Sequence, residues 1–241
     1  MFKRKEEYTS SKKRVPLISY VKPQSIQAEE FRTLRTNIEF AQFNKDVKSI
    51  AVTSSVPNEG KSTVAANLAH VFGGVDNKNV LLVDGDLRNP TIHRSFGLDN
   101  TKGLSSLLFD NTLQFNEIVQ KSRELNMYFL TSGPVPPNPS ELLSSARMTA
   151  LMQELSDNFD IVIYDTPPVT LVTDAKILAT KADSVLLVVK QNFSRKDVLK
   201  RAIQELNNIN ADILGFVMTN LSNTEKYGYG YKNYREQKDN N

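Results

Sequence analysis

Nine residues constrain this chain more than any others: Ser55-Val56-Pro57-Asn58-Glu59-Gly60-Lys61-Ser62-Thr63. They follow an apolar, β-branched stretch at 49–54 and precede a helical pattern over 62–72. A strand, then Gly-Lys-Ser/Thr, then a helix is the context a phosphate-binding loop requires. The physics is direct. Free N–H groups of the tight loop and of the helix N-terminus converge on one point, where the helix dipole adds positive potential. The pattern gives Lys61 the β- and γ-phosphates, Ser62 a Mg²⁺ ion and Thr63 the α-phosphate. Gly60 leaves room for close backbone approach, and Asn58 and Glu59 complete the nucleotide-contacting loop. One departure from the pattern is Ser55, which stands at the first glycine. Asn58 sits where the loop calls for positive φ, a conformation that Asn tolerates.

The rest of the chain repeats the strand–helix alternation. Strands are expected at 79–84, 127–130, 161–164, 184–189 and 213–218, and helices over 28–43, 140–157, 171–181 and 195–209. The strands are continuously apolar, as in strands buried on both faces. Alternation with helices implies right-handed crossovers and a mostly parallel sheet. The fold class expected is therefore α/β: a three-layer, P-loop NTPase-like domain with helices on both faces of the sheet. No linker divides the 241 residues. The expected organisation is a basic N-terminal tail over 1–24, one domain over 25–222 and a flexible tail over 223–241. In the helix at 28–43, Phe31, Leu34, Ile38 and Ala41 share one face, and Glu29, Arg32 and Arg35 lie on another.

Composition closes off several classes. There is no cysteine, which excludes disulfide scaffolds, thiol nucleophiles and cysteine metal sites. The longest apolar run, 185–189, is five residues, against ~18 for a bilayer span. The charged N-terminus has no apolar core after it, unlike a secretory signal. The chain is expected to be cytoplasmic, neither exported nor membrane-spanning. Of the net charge, +4 lies in residues 1–14, so the remaining 227 residues carry −1 of the total +3. That tail suits an anionic membrane surface or a nucleic acid, or is simply solvated. The body lacks the basic excess of a nucleic-acid binder.

Two further strand ends are acidic. Asp84-Gly85-Asp86-Leu87-Arg88 closes one, and Asp165-Thr166-Pro167-Pro168 closes another. In open α/β sheets ligands sit beyond the carboxyl ends of strands, so these groups are expected at the phosphate site. Asp165 is the natural Mg²⁺ carboxylate. Of Asp84 and Asp86, one can hold metal and the other accept a hydroxyl proton. Arg88 either neutralises phosphate or pairs with an aspartate. The proline-rich stretch 133–143 reads as a rigid loop into a helix capped by Ser140, or as a contact surface. Tyr227, Tyr229, Tyr231 and Tyr234 fall within eight residues, as a stacking surface, a low-complexity end or a set of phosphate acceptors. Four phosphates would add about −6 to −8 charges, enough to break a subunit contact.

Together these features resemble the bacterial tyrosine kinases of capsule and exopolysaccharide synthesis, in the free cytoplasmic form of Gram-positive bacteria. The residues that carry the resemblance are Glu29-x-x-Arg32-x-x-Arg35 with Thr36-Asn37, the loop ending Glu59-Gly60-Lys61-Ser62-Thr63 and the motif Asp84 to Pro90. The stretch Ser132 to Leu143, the strand ending Asp165-Thr166-Pro167-Pro168 and the tyrosine tail complete it. The resemblance implies an ATP- and Mg²⁺-dependent kinase that phosphorylates its tail tyrosines between neighbouring subunits. It implies Lys61, Asp84, Asp86 and Arg88 as catalytic residues, and Ser62, Asp84, Asp86 and Asp165 at the metal. Glu29, Arg32 and Arg35 become contacts in a homo-oligomeric ring. It also implies a membrane adaptor that recruits and activates the kinase at the inner face of the membrane, a cognate tyrosine phosphatase and other protein substrates. Relatives usually read adenine with an asparagine after the last strand, which here is Asn220, displaced by one position. The rival reading is a partitioning or division-site ATPase. Those ATPases usually carry an extra lysine five positions before the loop lysine, where this chain has Val56.

Overall fold

The computed structural model describes residues 15–41, 47–75 and 78–220. In chain order the elements are α1 (Ile18–Val21), α2 (Ile26–Ala41), β1 (Ser49–Ser54), α3 (Lys61–Gly73), β2 (Val80–Asp84), α4 (Ile92–Phe96), α5 (Leu104–Phe109) and α6 (Phe115–Ile118). There follow β3 (Gln120–Ser122), β4 (Met127–Leu130), α7 (Pro139–Ser144), α8 (Ala146–Asn158), β5 (Ile161–Asp165), α9 (Thr173–Lys181), β6 (Ser184–Lys190), α10 (Lys196–Asn208) and β7 (Ile213–Thr219). The strands form one sheet, ordered β3-β4-β2-β5-β1-β6-β7. Every pairing is parallel except the short hairpin β3–β4.

The three-layer expectation follows from strand alternation. Ile50 and Val52 of β1 pack with Val64, Leu68 and Phe72 of α3 on one face. Ala51, between them, packs with Ala175 of α9 and Ala202 of α10 on the other. Leu81 and Val83 of β2 join Tyr164, Leu151 and Leu155 on that second face. Both faces are covered, so the central strands carry no polar alternation. Edge strand β7 is the exception, with Phe216 and Met218 more than half exposed.

Two boundaries and one helix face differ from the sequence reading. Residues 15–22, assigned to a basic tail ending at 24, belong to the packed domain: Leu17 is fully buried in the main core. Asn67 of α3 explains this. Its Oδ1 accepts from the Ser19 N–H at 2.9 Å and the Ser19 hydroxyl at 3.0 Å. Its Nδ2 donates to the carbonyls of Pro16 at 2.7 Å and Thr63 at 2.8 Å. The helix expected over 140–157 is two, α7 and α8, broken at Ser145. Ser145 is the N-cap of α8 and accepts from the Met148 N–H at 3.2 Å, whereas Ser140 lies inside α7 and caps nothing. On α2, Ala41 is exposed and Arg35 is turned inward, donating to the Val71 carbonyl at 3.1 Å.

Asn67→Ala leaves the Ser19 amide and the Pro16 carbonyl without their partner. It is expected to lower stability by about 2 kcal/mol and to speed amide exchange at Ser19, with urea unfolding and hydrogen exchange as the checks.

Candidate active site

Register brings the acidic strand ends together. Asp84 of β2 lies opposite Asp165 of β5, and Asp165 lies opposite Val52 of β1, the strand that feeds the phosphate loop. Gly85 makes the closest crossing: its N–H donates to the Asp165 carbonyl at 2.8 Å. A Cβ there would stand 3.0 Å from that oxygen and 2.9 Å from Leu178 Cδ1, so only glycine fits without a shift.

The loop itself is held from behind. Gly60 has φ 95° and Asn58 φ 66°, so Asn58 adopts the left-handed conformation anticipated for it. Glu59, expected at the nucleotide, is fully buried and faces inward. Its carboxylate accepts from the Ser55 hydroxyl at 2.9 Å, from the Val56 N–H at 2.8 Å and from the Ser194 hydroxyl. Its carbonyl accepts from the Thr219 hydroxyl at 2.7 Å. Ser55 thus replaces the usual glycine with a donor that closes the loop on Glu59.

Lys61 Nζ lies 3.5 Å from Asp165 Oδ1 and 3.7 Å from Asp86 Oδ2. Burial disfavours its charge, but the pull of Asp165, Asp86 and Asp84 outweighs that and holds its pKa above the ordinary value. The same burial pushes the carboxyl of Asp84 up to about 8, with the neighbouring charge of Asp165 adding to it. Burial raises Asp165 too, against the pull of Lys61. One lysine facing three acids leaves room for a bound proton.

The aspartates are not equivalent. Oδ2 of Asp84 accepts from the Thr91 and Ile92 N–H groups at 3.0 Å each, which ties it to the start of α4. Oδ1 of Asp84 and both oxygens of Asp165 are buried without a hydrogen-bond partner. Asp86 accepts from the Asn89 N–H at 3.0 Å and lines an open cavity. Among the described residues no three His, Asp or Glu side chains form a metal cage. Mg²⁺ does not need one, because it binds through one or two carboxylates and fills its shell with water and phosphate oxygens. The buried oxygens of Asp165, beside Lys61 and the Ser62 hydroxyl, fit that requirement.

Two cavities flank the loop. A groove of about 770 Å³ runs from Asn58, Gly60 and Thr63 to Lys190 and Asn220, with Phe31 and Leu34 of α2 on its far wall. A second cavity of about 370 Å³ has Lys61, Ser62, Asp86 and Arg88 at its polar end and Pro167, Pro168 and Leu171 at its apolar end. Arg88 pairs with an aspartate, but one outside every motif: its Nε lies 2.8 Å from Asp174 Oδ2. Asp174, Ser194 and Lys190 carried no local signal in the sequence, and Ser140 was read only as a helix cap. Glu29 and Arg32 pair with each other, and Arg32 also donates to the Pro23 carbonyl, so within one copy they are bonded to their own chain. Tyr227, Tyr229, Tyr231 and Tyr234 lie outside the described residues. Among the described residues no helix is long and apolar enough to cross a membrane.

Comparison with known proteins agrees with this geometry. The AAA domain family matches residues 47–215. The chain is 45% identical over 215 residues to tyrosine-protein kinase YwqD of Bacillus subtilis, across 88% of this chain and 90% of that protein. It superposes on the chimerical protein CapA2B2 with a TM-score of 0.79 and 41% identity, covering 84% of this chain and 88% of that one. On the kinase domain of the Escherichia coli tyrosine kinase ETK the TM-score is 0.80 at 30% identity, covering 89% and 85%. The Pyrococcus furiosus cell division ATPase MinD is more distant, with a TM-score of 0.60 and 26% identity over 71% of each chain. The chain belongs to the bacterial tyrosine-protein kinase family, on a P-loop NTPase-like fold. The positioning-ATPase reading survives only as a remoter kinship of fold.

Glu59→Ala strands the Ser55 hydroxyl, the Val56 amide and the Ser194 hydroxyl. It is expected to cost about 2–3 kcal/mol and to weaken nucleotide binding, whereas Arg195→Ala, at an exposed ion pair, leaves both unchanged. Thermal unfolding and a fluorescent-nucleotide titration check this.

Proposed function

We propose that the protein is an ATP-dependent tyrosine kinase that phosphorylates Tyr227, Tyr229, Tyr231 and Tyr234 of a neighbouring copy. The observation that carries this reading is the pair of cavities on either side of the phosphate loop, which share Asn58, Gly60 and Thr63, with Lys61 in the smaller one. The groove ending at Asn220 accommodates the base and ribose, with Asn58, Gly60, Lys61, Ser62 and Thr63 around the phosphates. The second cavity offers an apolar wall for a tyrosine ring and a polar end at Asp86 and Arg88 for its hydroxyl.

The roles follow from position. Phosphoryl transfer asks mainly for alignment and charge stabilisation. Lys61 supplies positive charge at the phosphates, and Arg88 supplies it at the rim of the acceptor cavity. Ser62 and Asp165 would hold Mg²⁺, with Asp84 behind them. The bound ion would neutralise charge on the phosphate oxygens. Asp86, facing the cavity, is placed to accept the tyrosine proton, which leaves a hydroxyl of pKa near 10.

Glu29, Arg32 and Arg35 on α2 would join copies into a ring, which presents each tail to the next copy's site. A membrane adaptor would bring the kinase to the inner face of the membrane and activate it, and a tyrosine phosphatase would reset it. The cycle would regulate capsular or exopolysaccharide synthesis and export.

Intact-mass spectra after incubation with Mg-ATP test the reading. Phosphate steps mapping to the tail tyrosines are expected in the wild type and none in Lys61→Met. ATP hydrolysis with no phosphate on the protein would return the positioning ATPase as the better account.

A further inference from the structure

Asp174 is a fully buried carboxylate that belongs to no motif. It lies in the first turn of α9, where the helix dipole favours negative charge. Its two oxygens grip Arg88 as a fork: Oδ2 accepts from Nε at 2.8 Å and Oδ1 from Nη2 at 3.1 Å. Ser140 of α7 completes the grip. Its hydroxyl donates to Asp174 Oδ1 at 2.8 Å and accepts from Arg88 Nη2 at 3.0 Å. The Thr173 hydroxyl donates to the same Ser140 oxygen at 3.3 Å.

Counting donors shows what remains. A guanidinium has five N–H groups. The Nε hydrogen and both Nη2 hydrogens are committed to Asp174 and Ser140, which leaves the two on Nη1. Arg88 is itself 44% exposed and lines the cavity that holds Lys61 and Asp86. A long, flexible cation at the rim of that cavity is therefore fixed in one orientation by a buried anion. Bidentate pairing sets direction as well as charge.

We propose that Asp174, with Ser140, is a positioning residue for phosphoryl transfer: it aims the Nη1 edge of Arg88 at the phosphoryl group passing to the acceptor tyrosine. The proposal rests on the kinase reading above. It also gives the proline-rich stretch 133–143 a task, because that stretch delivers Ser140 to the grip.

The test is a double-mutant cycle on the full chain, following phosphate incorporation under Mg-ATP. Asp174→Asn is expected to lower kcat roughly 10- to 100-fold with KM for ATP unchanged, and Ser140→Ala to lower it less. In an Arg88→Ala background neither change should cost anything further. Ser140→Ala removes only a half-buried hydroxyl, so it keeps the cycle readable if Asp174→Asn does not fold. Equal losses with and without Arg88, or a rise in KM for ATP at unchanged kcat, would overturn the proposal. If the wild type hydrolyses ATP without modifying tyrosine, the kinase reading fails separately. The same cycle read on hydrolysis then still decides whether Asp174 acts through Arg88.

Discussion

One ammonium group set among three buried carboxylates organises this molecule. Lys61 Nζ stands within 4 Å of Asp165 and Asp86, and Asp84 lies beside Asp165 on the next strand. Buried charges are tolerated only when paired and hydrogen-bonded, and here the negative groups outnumber the positive one. The excess is met by a shift in protonation at Asp84 and by backbone amides of the α4 turn. A site built this way is short of positive charge, the condition that a bound divalent cation relieves.

Holding such a site open requires rigid surroundings. Helix α3, which begins at Lys61, is tied at Asn67 to the 15–22 segment and packs along its length on β1. The loop before it is closed by Glu59, whose carboxylate collects donors from its own turn and from Ser194 beyond β6. Arg88 is clamped by α7 and α9. The two cavities therefore differ in kind: one wall of the larger groove is helix α2, whereas the smaller cavity ends in a fixed guanidinium.

What was legible in the sequence was whatever is local. Gly60-Lys61-Ser62, the Asp84 and Asp165 strand ends and the positive φ of Asn58 are read from consecutive residues and strand periodicity, and the alternating elements gave the three-layer sheet. The clasps were not legible because their partners are far apart in the chain. Asn67 meets Ser19 across 48 positions, Arg88 meets Asp174 across 86 and Ser194 meets Glu59 across 135. Glu59 looked like a nucleotide contact because it stands within the phosphate-loop motif; only the fold shows its carboxylate turned inward. Residues 15–24 read as tail because charge dominated the stretch before them, although Val15, Leu17, Ile18, Tyr20 and Val21 are apolar. Ser140 resembled a helix cap by composition, but the helix starts one residue earlier, at Pro139.

The most direct test of the central claim is a carboxyl ¹³C titration of Asp84 in the nucleotide-free protein, in the wild type and in Lys61→Met. The pKa of Asp84 is raised from 3.8 to about 8 by folding. Between those values the folded chain binds more protons than the unfolded one. The stability this group contributes is full below 3.8 and lost as pH rises through about 8. The account predicts a titration near 8 in the wild type, moving higher once the Lys61 charge is removed. A titration near 4, or one indifferent to Lys61→Met, would contradict it.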